Sequence, residues 1–291
     1  MISSLVEEAV DQIARLDQVA ADSPVAAGET LRLSAVAGAA PNPINALVPL
    51  LAAEVDPFHE DALDPALRAW RDVVTEEVRR ARGGALPSLD RLATVVPSLA
   101  TYSHRPRLEA TWREAPVGTA VLHRALDAAA WAPDPVTGDM LAALMLVLGG
   151  RTYQLRFLPF HGVAAADRAS AIAAWRAGDE TPWATAALTA AARGARRVRE
   201  RLTRLAAGIA DEEVTLDALG RAGITARRAL RQVRGAVATT MPILAEDLGV
   251  SRPAAADALR RLEAQGLARE LTGRARDRVW AYAPALALVE A

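Results

Sequence analysis

Apolar residues recur at three- and four-residue intervals along most of the chain, and the interval drops to two only near the end. Leu5, Val6, Val10, Ile13 and Leu16 share one helical face, behind Ser3 or Ser4 as cap, and the pattern stops before Ser23 and Pro24. The same spacing predicts helices over 26–37, 44–54, 65–81, 89–102, 117–130, 165–177, 181–207 and 225–235, with 211–219 leading into the last of these. Residues 39–43 read as a loop, because Pro41 and Pro43 each bias their predecessors away from helix. Residues 132–138 carry two prolines and Gly138 and are the most loop-like interior stretch. The next run, 139–148, is apolar nearly all round, so it is expected to be a central helix buried on every side. A short apolar segment is expected to run to Phe160.

Residues 239–282 are organised differently. Thr239 and Thr240 cap a helix that tolerates Pro242 near its start and runs to Leu248. Gly249 supplies the left-handed residue of a tight turn, with Val250 entering the core beside Ile243, Leu244 and Leu248. Ser251 caps a second helix over 252–265, whose Ala255, Ala258, Leu259 and Leu262 fall on one face. Beyond Gly266 the period changes. Leu267, Arg269 and Leu271 alternate with polar or small neighbours, Thr272, Gly273 and Arg274 turn, and Val279, Trp280 and Tyr282 return. The stretch reads as a winged helix–turn–helix with a two-stranded wing. The expected fold class is all-α, with a helical domain over 1–210 and the winged-helix domain over 211–291.

Charge sharpens this picture. From Gly220 to Ala291 there are 12 Arg against 7 Asp or Glu, a net of about +5, while the rest of the chain carries about −6. DNA binding needs cations beside a helix that fits the major groove, and the candidates are Ser251, Arg252, Arg260, Arg261, Arg274, Arg276 and Arg278. Ala254, Ala256 and Asp257 also face outward on the second helix, and Asp257 reads bases poorly. A winged helix of this kind also serves as a dimerisation module.

Composition narrows the chemistry. The chain has no cysteine and no lysine, which excludes disulfides, thiolate metal sites, Schiff bases and lysine-dependent phosphate binding. Its first residues carry acids and lack a cationic lead, so no signal peptide is expected, and a soluble cytoplasmic protein is. His59, His104, His123 and His161 show no ligand spacing, so no metal site is assigned. The run from His104 to Arg107 reads as a solvated loop or an anion contact. Asp134 and Asp139 flank Gly138 as helix caps or as weak Mg²⁺ ligands. The six tryptophans read as packing anchors.

Three segments resemble the Fic (Fido) family, in particular its bacterial members with a winged helix after the Fic domain. These are EAQGLARELTGRARDRVWAYAPAL at 263–286, WRAGDETPWATAALTAAARGA at 175–195, and LSAVAG at 33–38. The resemblance implies a nucleotidyl (AMP) transferase with an HPFxxGNGR loop, in which His is the base and Arg clamps phosphates. The matching segment, 122–148, has no such motif: it holds no His, Asn or Arg after Ala128, and the family's regulatory Glu falls on Ala37. No catalytic residue is therefore assigned, and ATP is a cofactor only if the cleft is retained. The expected function is a DNA-binding transcriptional or toxin–antitoxin-type regulator on a catalytically degenerate Fic-like scaffold, acting on double-stranded DNA as a homodimer and away from membranes. Two alternatives stand beside it. One is a transferase rebuilt around Asp134, Asp139 and His123; the other is a non-enzymatic module that holds a protein partner.

Overall fold

The computed structural model describes residues 2–23, 43–55, 60–61, 63–86, 88–112, 120–150, 157–218, 220 and 223–290. The expected helix over 26–37, the loop up to Asn42, the LSAVAG segment, His59 and residues 151–156 lie outside them. The fold is mainly helical with one small antiparallel sheet. No described helix is long and apolar enough to cross a membrane. The described residues fall into two compact units, one within Met1–Gln18, Ala35–Pro43 and Asp64–Arg199, the other within Val19–Ser34, Ile44–Leu63 and Glu200–Ala291.

The first unit contains α1 (Ile2–Ala21), α3 (Pro65–Arg82), α4 (Leu89–Ala93), α5 (Arg105–Trp112), α6 (Ala120–Ala130), α7 (Pro135–Leu148), α8 (Ala165–Arg176) and the first part of α9 (Thr181–Asp217). Its core is α7, in which every residue from Thr137 to Val147 is buried, as the uniform apolarity of that run requires. α6 and α7 form a tight helical hairpin. A Cβ on Gly138 would lie 2.8 Å from the Ala129 carbonyl oxygen, and one on Gly149 would lie 2.3 Å from a Val121 methyl, so both glycines permit the close approach.

Four local readings are corrected here. The stretch 132–138 is not all loop: Asp134 accepts a hydrogen bond from the Thr137 N–H at 2.9 Å, and α7 starts at Pro135, where a missing N–H costs nothing. Asp139 is no cap and lies within α7. The helix expected over 89–102 ends at Ala93, and Pro97 begins only a 3₁₀ turn, with Val96 before it kept out of the helical region (φ −125°, ψ 80°). The His104–Arg107 stretch is largely helical, because Pro106 sits in the first turn of α5.

Asp139 instead anchors the unit. Its carboxylate takes two bonds from Arg168 on α8, at 2.7 and 3.2 Å, with side chains only 1% and 5% exposed. Arg168 also donates to the carbonyls of Phe160 and Pro135 and lies over the Trp183 ring. Burial pushes the Asp139 carboxyl up, and the hydrogen bonds and charge of Arg168 pull it back only in part.

The second unit contains α2 (Pro43–Ala53), the last part of α9, α10 (Gly223–Gly235), β1 (Thr239–Thr240), α11 (Met241–Leu248), α12 (Arg252–Ala264), β2 (Ala268–Glu270), β3 (Val279–Tyr282) and α13 (Ala283–Glu290). The strand order is β1-β3-β2, with Thr240 opposite Val279 and Arg269 opposite Ala281. The sheet thus has a third strand beyond the expected hairpin, because Thr239 and Thr240 pair with β3 before Thr240 caps α11. Leu51 and Ala52 of α2 pack with Ala238, Val279, Ala281 and Leu286. α9 runs past its expected end at Ala207 to Asp217, since one glycine, Gly208, weakens a helix without stopping it. Its late turns are fastened by Glu212, which accepts from Arg234 at 2.6 Å and from the Tyr282 hydroxyl at 2.5 Å. Burial, then the Glu212 bond, pushes the Tyr282 hydroxyl well up, so it stays a donor.

Candidate functional site

Gly249 ends α11 at φ 62°, and Ser251 accepts from the Ala254 N–H to open α12, so the two helices meet through a turn of three residues, Gly249 to Ser251. The core face of α12 is Ala255, Ala258, Leu259 and Leu262, all buried. Ile243 departs from the expected core: it is 36% exposed, and Val250 is half-buried, because Leu244, Ala245 and Leu248 already fill that face of α11.

Strands β2 and β3 are joined by a hairpin over 271–278, closed by the Leu271 N–H on the Val279 carbonyl at 2.8 Å. Gly273 (φ 63°) and Asp277 (φ 51°) make its left-handed corners. Glu270 braces the turn internally, accepting from the N–H groups of Thr272 at 2.7 Å and Gly273 at 2.8 Å and from the Thr272 hydroxyl. Partial burial raises the Glu270 pKa, but these bonds and the charge of Arg278 outweigh it and hold the carboxyl below its ordinary value. A depressed carboxylate contributes stability above its unfolded pKa and loses it as pH falls through the folded one. Replacing Glu270 by Gln is therefore expected to cost about 1 kcal/mol at neutral pH, with the difference from wild type shrinking progressively as pH falls below the ordinary glutamate value of about 4.3. Urea titrations across that range check this; a pH-independent difference contradicts the brace.

Between the outward face of α12, the start of α11 and this hairpin lies an open cleft of about 650 Å³. Arg252 and Arg260 line it from α12, and Arg276 and Arg278 from the hairpin. All four side chains are exposed. Arg252 and Arg276 make no ion pair with the described residues, Arg278 donates to the Arg274 carbonyl at 2.6 Å, and Arg260 lies 3.5 Å from Asp257. Trp280 lines the cleft while only 7% exposed, a packing role.

The other candidate cations are placed apart. Arg261 pairs with Asp257 at 2.7 Å and does not line the cleft; Arg274 is exposed on the hairpin and does not line it either. Sequence reading missed the contributions of Ala256, Ala275 and Asp277 to the cleft. The signal for Asp277 was present: an Asp within an Arg-rich turn is a residue that tolerates the left-handed conformation. The arrangement offers four guanidinium groups and one carboxylate around a helix whose N-terminal N–H groups favour anions, which suits a polyanion better than a neutral ligand.

The residues of the alternative enzymatic site are engaged separately. His123 is exposed and lies 3.3 Å from Glu180, Asp134 caps α7, and Asp139 is committed to Arg168. Among the described residues, no group of three or more His, Asp or Glu is placed to hold a metal ion. Compared with known proteins, the chain matches no family model and no curated protein.

Proposed function

We propose that the second unit is a winged helix–turn–helix that binds double-stranded DNA, with α12 in the major groove and the 271–278 hairpin as its wing. The observation that carries this reading is the cleft between them, flanked by Arg252, Arg260, Arg276 and Arg278. An α-helix is about 10–12 Å across with its side chains, and the major groove is about 12 Å wide, so an exposed face of α12 enters it without rearrangement. The small outward residues Ala254 and Ala256 allow close approach, and the flanking guanidiniums meet phosphates. The chain then acts as a transcriptional or toxin–antitoxin-type regulator, working as a dimer on a two-fold operator.

The helical unit is proposed as a Fic-like scaffold without transferase chemistry. Supporting that reading, the segment matched to the family's catalytic region, 122–148, is here most of α6, the turn after it and α7, and its His123, Asp134 and Asp139 are already engaged elsewhere.

Selection from a random duplex pool tests the reading. The intact chain is expected to enrich a recurring, two-fold related motif. Failure to retain duplex at low salt overturns it.

A further inference from the structure

Position, charge and pairing single out Asp257. With Ala255, Ala258, Leu259 and Leu262 buried, a turn of about 100° per residue puts Asp257 on the opposite face of α12, beside Pro253 and Arg260. Pro253 and Arg260 line the cleft and Asp257 stands just outside its lining, so on the DNA-binding reading its carboxylate borders the surface that meets the groove and repels phosphate there. Asp257 nonetheless holds two cations at once: Oδ2 accepts from Arg261 Nε at 2.7 Å, and Oδ1 lies 3.5 Å from Arg260 Nη2. The side chain is 47% exposed, so nothing in the packing of α12 requires it. Oδ1, at the outer limit of a hydrogen bond, retains accepting capacity.

Resting on the DNA-binding reading above, and reversing the expectation that an Asp on this face reads bases poorly, we propose that Asp257 is the specificity-determining residue of this interface. It acts in two ways. On non-cognate duplex it neutralises Arg261, keeps that guanidinium off the backbone and repels phosphate, so generic affinity is suppressed. On cognate duplex its Oδ1 accepts from the amino group of a cytosine, the base whose major-groove edge offers a donor to a carboxylate, while Arg260 turns to a neighbouring guanine. Discrimination thus comes from a repulsive element as much as from an attractive one.

The experiment compares wild type, Asp257→Ala and Asp257→Glu on the selected duplex, on a shuffled duplex, and on the selected duplex with each C·G pair replaced in turn. Wild type is expected to lose roughly tenfold in affinity on replacement of one such pair, and Asp257→Ala to be indifferent to it. Asp257→Ala is also expected to bind shuffled DNA severalfold more tightly, with a salt slope steeper by about 0.9 as Arg261 finds a phosphate. Asp257→Glu keeps the charge and restores the weak binding of shuffled DNA. An unchanged ratio of selected to shuffled binding in Asp257→Ala, while wild type still selects, overturns this proposal and leaves the DNA reading standing. Absence of duplex binding by wild type overturns both.

Discussion

Asp139→Ala is expected to lower the unfolding free energy by about 3–5 kcal/mol, the range for a buried ion pair that loses one partner. The magnitude follows from what is left behind. Arg168 keeps its charge at a site 5% exposed, with only the carbonyls of Phe160 and Pro135 and the Trp183 ring to face it. Removing the carboxylate therefore strands a cation, which costs far more than the pair itself contributes. Asp139→Leu combined with Arg168→Met is expected to recover much of the loss, since apolar residues of similar volume need no counter-ion. Urea unfolding of the three proteins measures both effects. A loss below about 1 kcal/mol for Asp139→Ala contradicts the burial of the pair.

Replacing Arg252 and Arg276 together by Ala is expected to weaken binding to any duplex at least tenfold at low salt and to flatten the salt slope by roughly 1.8, two phosphates at about 0.9 each. These two are the cleft cations that no carboxylate of the described residues restrains, so their charge is available to DNA in full. Fluorescence anisotropy across a salt series reads both quantities. Arg79→Ala, which removes an exposed cation of the first unit, is the control and leaves binding unchanged. Equal loss in that control reduces the effect to net charge.

What was legible in the sequence is what is local. Gly249, Ser251 and the four apolar residues of α12 specify a turn, a cap and a face within fifteen residues, and the structure shows each of them. The uniform apolarity of 139–148 likewise announced a buried helix. A proline's effect depends on its position: Pro106 and Pro135 break nothing, because each stands in the first turn of its helix, whereas Pro97 follows a non-helical residue and does divide its segment. Long-range pairing was invisible. Asp139 looked like a cap because its partner lies 29 residues on, and β1 is two residues long and exists only through its register with Val279 and Trp280. The packing of Leu51 and Ala52 against the sheet left no periodic trace either. Among the site residues, the cationic character of the hairpin was plain in the sequence. Which arginines share the cleft was not, because that depends on how the hairpin folds back over α12.

One titration bears most directly on the central claim: the intact chain against duplex DNA at about 0.05 and 0.2 M salt. Engagement of the four cleft arginines predicts a slope of log K on log salt of about −3 to −4, a loss of roughly a hundredfold between the two conditions. Binding that is absent at the lower salt, or present and indifferent to salt, contradicts a DNA interface at this cleft.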